Sequence, residues 1–278
     1  MVPAVFVTAT IAASLFVVKY GRKIVTGEIF KRKEKGVNSR WIQRLAGGRL
    51  ERVANSVISS AQMRFLGRVG DPEIIKDYKQ LRKKLAAPLA NEAYLLRSLA
   101  ASLNDLDGDF AEVGCFQGGS AAMICQGKEG DKRMHIFDTF EGIPRGRKDF
   151  GEHFKENLYA CSLEQVQANL SDFPNVAFHK GLFPSSVNGN SEIEQTKFAF
   201  VNIDVDLYEG TLECLKFFYP RMSPGGILVS HDYMLDGVRA AFDEFMADKP
   251  ERIVDLPTTQ CMFVKLDDQS AGAIRRAA

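Results

Sequence analysis

Residues 110–121 read FAEVGCFQGGSA, and this stretch decides the fold. Phe110 to Val113 form a short apolar run broken only by Glu112. Gly114, Gly118 and Gly119 then make a turn with little side-chain bulk, and Ser120 is placed to cap a following helix. A second run, HIFD, ends in Asp138, twenty residues after Gly118. In open α/β sheets, ligands bind beyond the carboxyl ends of the strands, near the switch in strand order. A carboxylate at Asp138 can accept hydrogen bonds from both hydroxyls of a ribose. Taken alone, the turn reads equally well as a plain strand-to-helix connection. Paired with Asp138 at this spacing, it reads as a nucleoside site. The spacing is G-x-x-x-G-G and not the G-x-G-x-x-G that receives a pyrophosphate. Glu112 beside the turn repels a pyrophosphate and attracts a sulfonium or an amino group. The expected cofactor-binding residues are therefore Glu112, Gly114, Gly118, Ser120 and Asp138.

Outward from this unit, helix and strand patterns alternate. Helical periodicity covers roughly residues 72–86 and 89–103, and β-rich runs follow at 109–113, 133–137, 176–179, 198–203 and 226–230. A last run, Cys261 to Leu266, closes the series. Strands alternating with helices predict an α/β fold with a doubly wound, mostly parallel sheet.

Two of the runs end in chemistry-bearing residues. FAFVNI, continuous and apolar like a central buried strand, ends in Asp204-Val205-Asp206. GGILVS ends in His231-Asp232. Neighbouring parallel strands bring these ends together, and oxygen ligands from two strands make a site for a hard divalent cation. Such a cation lowers the pKa of a bound hydroxyl, and an adjacent carboxylate takes the proton. The plainer alternatives are that the aspartates cap helices and that His231 is a structural histidine.

The composition, 45% hydrophobic and 26% charged, is that of a folded domain. The net charge of +1 hides an asymmetry. Residues 1–70 hold 13 Lys and Arg against 3 Asp and Glu, whereas residues 71–278 hold 23 against 32. A basic arm thus precedes an acidic domain and favours an anionic surface. Without interleaved aromatic and basic residues, nucleic acid is not the expected partner. Met1 to Val18 carry no charged side chain, and as a helix they span roughly 27 Å, close to the ~30 Å hydrocarbon core of a bilayer. Lys19, Arg22, Lys23, Lys31, Arg32, Lys33 and Lys35 follow at once, which places the rest of the chain on the cytoplasmic face. One alternative is a helix packed on the domain or on a second subunit, with a cytoplasmic protein and a possible homo-oligomer; a cleaved signal peptide fits less well, since no basic region precedes the run. The stretch from Leu50 to Phe65 is amphipathic, suited to packing or to an anionic lipid surface. Asp71-Pro72 reads as a helix start and a boundary. The expected organisation is an anchor at 1–18, a basic helical arm at 19–71 and a catalytic domain at 72–278. The five cysteines form no CxxC motif and read as reduced, mostly buried thiols.

With these residues in view, EVGCFQGGSA, FDTFEGIP, IDVDLYEGTLECLKFFYPRMSPGGILVSHDY and GVRAAFDEF resemble the macrocin O-methyltransferase family over roughly Leu95 to Phe245. The resemblance implies a Rossmann-like class I methyltransferase fold with a final antiparallel strand. It also implies S-adenosylmethionine, Mg²⁺ or a similar divalent metal, and O-methylation of a sugar hydroxyl on a larger molecule. By that similarity Asp204 and Asp232 are metal ligands and Asp206 is the general base. The family pattern has Asp-Asp-Tyr where this chain has His231-Asp232-Tyr233. An imidazole at that position suits Mn²⁺ or a later transition metal better than Mg²⁺, so His231 joins the expected ligand set. The competing readings are a nicotinamide-dependent oxidoreductase, disfavoured by the turn spacing, and an inactive methyltransferase-like domain acting as a membrane-tethered binding or scaffold protein.

Overall fold

The computed structural model describes residues 49–144 and 157–267. The expected anchor at 1–18 and most of the basic arm lie outside them. No helix among the described residues is long and apolar enough to cross a membrane.

Seven strands form one sheet in the order β3-β2-β1-β4-β5-β7-β6. They are β1 (Asp109–Val113), β2 (Met134–Asp138), β3 (Val176–Lys180), β4 (Phe198–Ile203), β5 (Met222–Ser230), β6 (Val254–Asp255) and β7 (Cys261–Val264). β3, β2, β1, β4 and β5 run parallel, while β7 pairs antiparallel with both β5 and β6. The doubly wound fold and the closing antiparallel strand are thus both present. β4, at the sheet's centre, is buried at every position, and β3, at an edge, is only half-buried.

The pleat sorts side chains into two layers. Phe110, Phe200, Ile227 and Val229 face one apolar cluster. It is completed by α2 (Pro72–Leu81), α3 (Ala90–Ser102), α4 (Gly119–Gly127) and α5 (Leu163–Asn169). Ala111, Val113, Val201, Ile203 and Leu228 face the other cluster. There they meet α6 (Ser191–Gln195), α7 (Tyr208–Phe218) and α8 (Asp236–Met246).

The amphipathic α1 (Arg49–Val69) packs Met63 and Leu66 against the first cluster and leaves Phe65 and Val69 exposed. Its Ser59 is buried against the Tyr78 hydroxyl of α2. Asp71 starts α2 as expected, accepting the Glu73 amide at 2.8 Å with Pro72 in the first turn.

Two expected elements differ markedly in extent, and one strand has no counterpart among the expected runs. α2 ends at Leu81 rather than near 86, because the chain turns after Arg82 toward Pro88. β5 begins at Met222, four residues early, through a register shift opposite Phe198 and Phe200. β6 was not anticipated, since two exposed residues carry no apolar pattern.

Candidate active site

The chain order reverses between β1 and β4, so the site lies where these strands end. Val113 pairs with Phe137 and Ile203, and Ile203 pairs with Ser230. Backbone hydrogen bonds extend this row one residue further: Gly114 N to Phe137 O, Asp204 N to Val113 O, and His231 N to Ile203 O. Register alone therefore sets Gly114, Asp138, Asp204 and His231 side by side. Gly114 permits this closeness. Its φ is +82°, and a Cβ there would stand 1.8 Å from the Asp204 carbonyl oxygen.

On the nucleoside side, Asp138 does more than end a strand. Its Oδ2 accepts the amides of Cys115 at 2.7 Å and Phe116 at 3.3 Å, and its Oδ1 accepts the Phe140 amide at 2.7 Å. A carboxylate has about four lone-pair sites, so capacity remains for a ligand hydroxyl. Glu112 is fully buried and pairs with Asn202, its register partner on β4, at 2.7 Å. Burial pushes its carboxyl up to about 8, against the opposing pull of Ser120 and Asn202. The expected cap at Ser120 is corrected. Gly118, at φ +85°, occupies the cap position, and Ser120 lies buried inside α4 beside Glu112. Gly119 lets the helix start pass under the Ala86 carbonyl oxygen, which would meet a Cβ at 2.0 Å.

On the acidic side, the capping alternative fails. The cap positions of α7 and α8 are Leu207 and Leu235, and neither helix has a side-chain cap. Ligand atoms of Asp204, His231 and Asp232 lie within 4.8 Å of one another. His231 Nδ1 is 2.8 Å from Asp232 Oδ2 and 3.4 Å from Asp204 Oδ1. Asp206 and Asp232 both hold positive φ, 60° and 55°, strained positions of the kind that collect at functional sites.

Burial raises Asp204 to about 6, helped by Asp232 and opposed by His231. Burial, then Asp232 and Asp204, lift Asp206 well above the carboxylate range. Burial also opposes the Asp232 charge, but His231 outweighs it and holds the group low. His231 is raised because Asp232 and Asp204 overcome its burial. Periodicity had marked α3 only as helix, yet its Glu92 is buried and lies 3.5 Å from His231 Nε2. Thr259, also unanticipated, bridges the two.

Residues 95–260, which contain both halves of this site, match the family described as Macrocin-O-methyltransferase (TylF). The chain belongs to this family. Among macrocin O-methyltransferase relatives, it is 30% identical over 172 residues to the 8-demethyl-8-(2,3-dimethoxy-alpha-L-rhamnosyl)-tetracenomycin-C 4'-O-methyltransferase of Streptomyces olivaceus, covering 56% of this chain and 64% of that one. It is 29% identical over 161 residues to the demethyldecarbamoylnovobiocin O-methyltransferase of Streptomyces niveus, covering 52% of this chain and 60% of the relative. The chain thus spans less than two thirds of the length of these relatives. The fold is shared with the O-methyltransferase NovP (TM-score 0.55, 24% identity, 64% of this chain and 81% of that one). It is also shared with the calicheamicin methyltransferase CalS11 (TM-score 0.54, 19% identity, 75% and 92%).

Proposed function

We propose that this chain is an S-adenosylmethionine-dependent O-methyltransferase, assisted by a divalent cation, that acts on a hydroxyl of a sugar, a sugar-bearing natural product or a glycolipid. The observation that carries the reading is one row of residues within the family segment. Gly114 and Asp138 stand beside Asp204 and His231 at the switch in strand order. Relatives named as O-methyltransferases of a rhamnosyl-bearing tetracenomycin and of demethyldecarbamoylnovobiocin support the acceptor class.

Asp138 and the Gly114–Gly118 turn are suited to the nucleoside. Glu112, without exposed surface, supports that turn from beneath. The acidic cluster fits a cation. Asp204, Asp206 and Asp232, with Glu92 behind, place four carboxyl groups around one imidazole, and like charges this close cannot all ionise uncompensated. His231 Nδ1 is buried and faces two carboxylate oxygens, Asp232 Oδ2 at 2.8 Å and Asp204 Oδ1 at 3.4 Å. Asp204, His231 and Asp232 would hold the ion, which when bound supplies positive charge that acidifies an acceptor hydroxyl. Asp206, beside the ligands but outside the ligand set, takes that proton. When bound, S-adenosylmethionine would supply the methyl group to the acceptor oxygen, its sulfonium becoming a neutral thioether.

The test is methyl transfer from S-adenosylmethionine to a panel of deoxysugar glycosides and sugar nucleotides, with and without Mg²⁺ or Mn²⁺. Methylated sugar is expected. No calorimetric binding of S-adenosylmethionine would remove the reading altogether.

The uncharged run Met1 to Val18 and the basic residues behind it support membrane attachment through the N-terminus. Fractionation of the full chain checks this: recovery as a monodisperse species without detergent counts against attachment.

A further inference from the structure

We infer that Glu92 and Thr259 are positioning residues that lock the His231 ring with Nδ1 turned toward Asp204 and Asp232. This rests on the cation reading above and names what makes His231 a ligand rather than a bystander.

Glu92 lies in the first turn of α3 and is 1% exposed. Its Oε1 accepts the Thr259 hydroxyl at 2.8 Å and the Thr259 amide at 3.3 Å, and its Oε2 accepts the Leu89 amide at 3.0 Å. Each oxygen therefore already accepts from an obligatory backbone donor. Thr259 has one hydroxyl hydrogen, and Glu92 holds it. Its oxygen can then only accept from His231 Nε2, 3.2 Å away. In the neutral ring Nε2 therefore keeps the hydrogen, and Nδ1 is the atom left to face the carboxylates. In a neutral ring, Nδ1 presents a lone pair to Asp232 Oδ2 and Asp204 Oδ1, which is repulsive until positive charge lies between them.

The three groups come from distant parts of the chain, with Glu92 167 positions from Thr259. The Tyr233 amide donates to the Thr259 carbonyl at 2.9 Å, strapping the segment before β7 to the loop that carries His231. A carboxylate behind a histidine ligand fixes its tautomer and orientation, and losing such a partner usually costs about 10–100-fold in metal affinity.

The experiment measures Mn²⁺ affinity by calorimetry for wild type, Thr259→Val, Thr259→Ser, Glu92→Gln and Asp204→Asn. Nitrogen-15 NMR of the His231 ring accompanies it, in metal-free protein at a pH where the ring is neutral. Thr259→Val and Glu92→Gln are expected to weaken Mn²⁺ by about 10–100-fold, while Thr259→Ser, which keeps the hydroxyl, restores wild-type binding. Melting temperature and S-adenosylmethionine affinity hold the fold in check. Wild-type Mn²⁺ affinity in Thr259→Val, with binding lost in Asp204→Asn, overturns the inference and leaves the cation reading standing. If wild type binds no divalent cation, the cation reading fails, and the ring spectrum still decides the relay. A hydrogen on Nε2 that is lost in Thr259→Val supports it, and the same tautomer in both proteins overturns it.

Discussion

Asp138 Oδ2 lies 2.7 Å from the backbone nitrogen of Cys115, so the end of β2 holds down the turn that follows β1. One carboxylate therefore shapes the turn after β1 and is also the group proposed to bind the ribose. Asp138→Ala removes both contributions. Losing hydrogen bonds to a charged acceptor costs about 1.5–3 kcal/mol, so S-adenosylmethionine affinity is expected to fall by one to two orders of magnitude. Calorimetry checks this, with circular dichroism to show the fold intact. Unchanged affinity would remove Asp138 from the site.

Glu112 sets a pH dependence. Its carboxyl is raised from 4.5 to about 8 by burial, so between those values the folded chain binds a proton that the unfolded chain has lost. Stability from this group is complete below about pH 4.5 and is lost as pH rises through about 8. Glu112→Gln is neutral throughout. Denaturation of ligand-free protein across this range is expected to show wild type losing stability relative to the variant, by an amount on the order of a few kcal/mol. Parallel curves would mean that Glu112 is ionised in the folded state.

The legible part of this protein was its sheet. The apolar runs that become β4 and β5 end in acidic residues, and neighbouring parallel strands predict that these ends meet, as Ile203 and Ser230 do. What stayed hidden depends on distance or on backbone conformation. Glu92 reads as an ordinary first-turn acid, and only the fold brings Thr259 and His231 to it. Ser120 has the right type for a cap, but positive φ at Gly118 moves the helix start back and buries the serine. The start of β5 is masked by Ser223-Pro224-Gly225-Gly226, which looks like a turn and yet lies within the strand.

Asp206 and Asp204 are two residues apart, yet their substitutions are expected to act differently. In the proposed mechanism Asp206→Asn removes the base and leaves the ligand set, so cofactor and cation binding are expected to survive while methyl transfer slows by roughly 10²–10⁴-fold. Asp204→Asn removes a ligand, so cation affinity falls as well. Single-turnover rates at saturating cation separate the two. A full recovery of Asp206→Asn at high cation concentration would reassign Asp206 from base to ligand.

On the proposed reading, the identity of the cation depends on His231. An imidazole nitrogen between two carboxylates favours Mn²⁺ or a later transition metal over Mg²⁺, because nitrogen is a softer donor than oxygen. His231→Asp makes the site all-oxygen and is expected to move the preference toward Mg²⁺. The change also adds another carboxylate among Asp204, Asp206 and Asp232. The variant is therefore expected to need a cation for stability as well, melting lower than wild type in chelator and recovering with Mg²⁺. Metal titrations of methyl transfer and of melting temperature, run side by side on both proteins, read the two effects separately. Identical metal profiles, or wild-type turnover that resists a chelator, would show that His231 serves the fold and that the acidic cluster works without a metal.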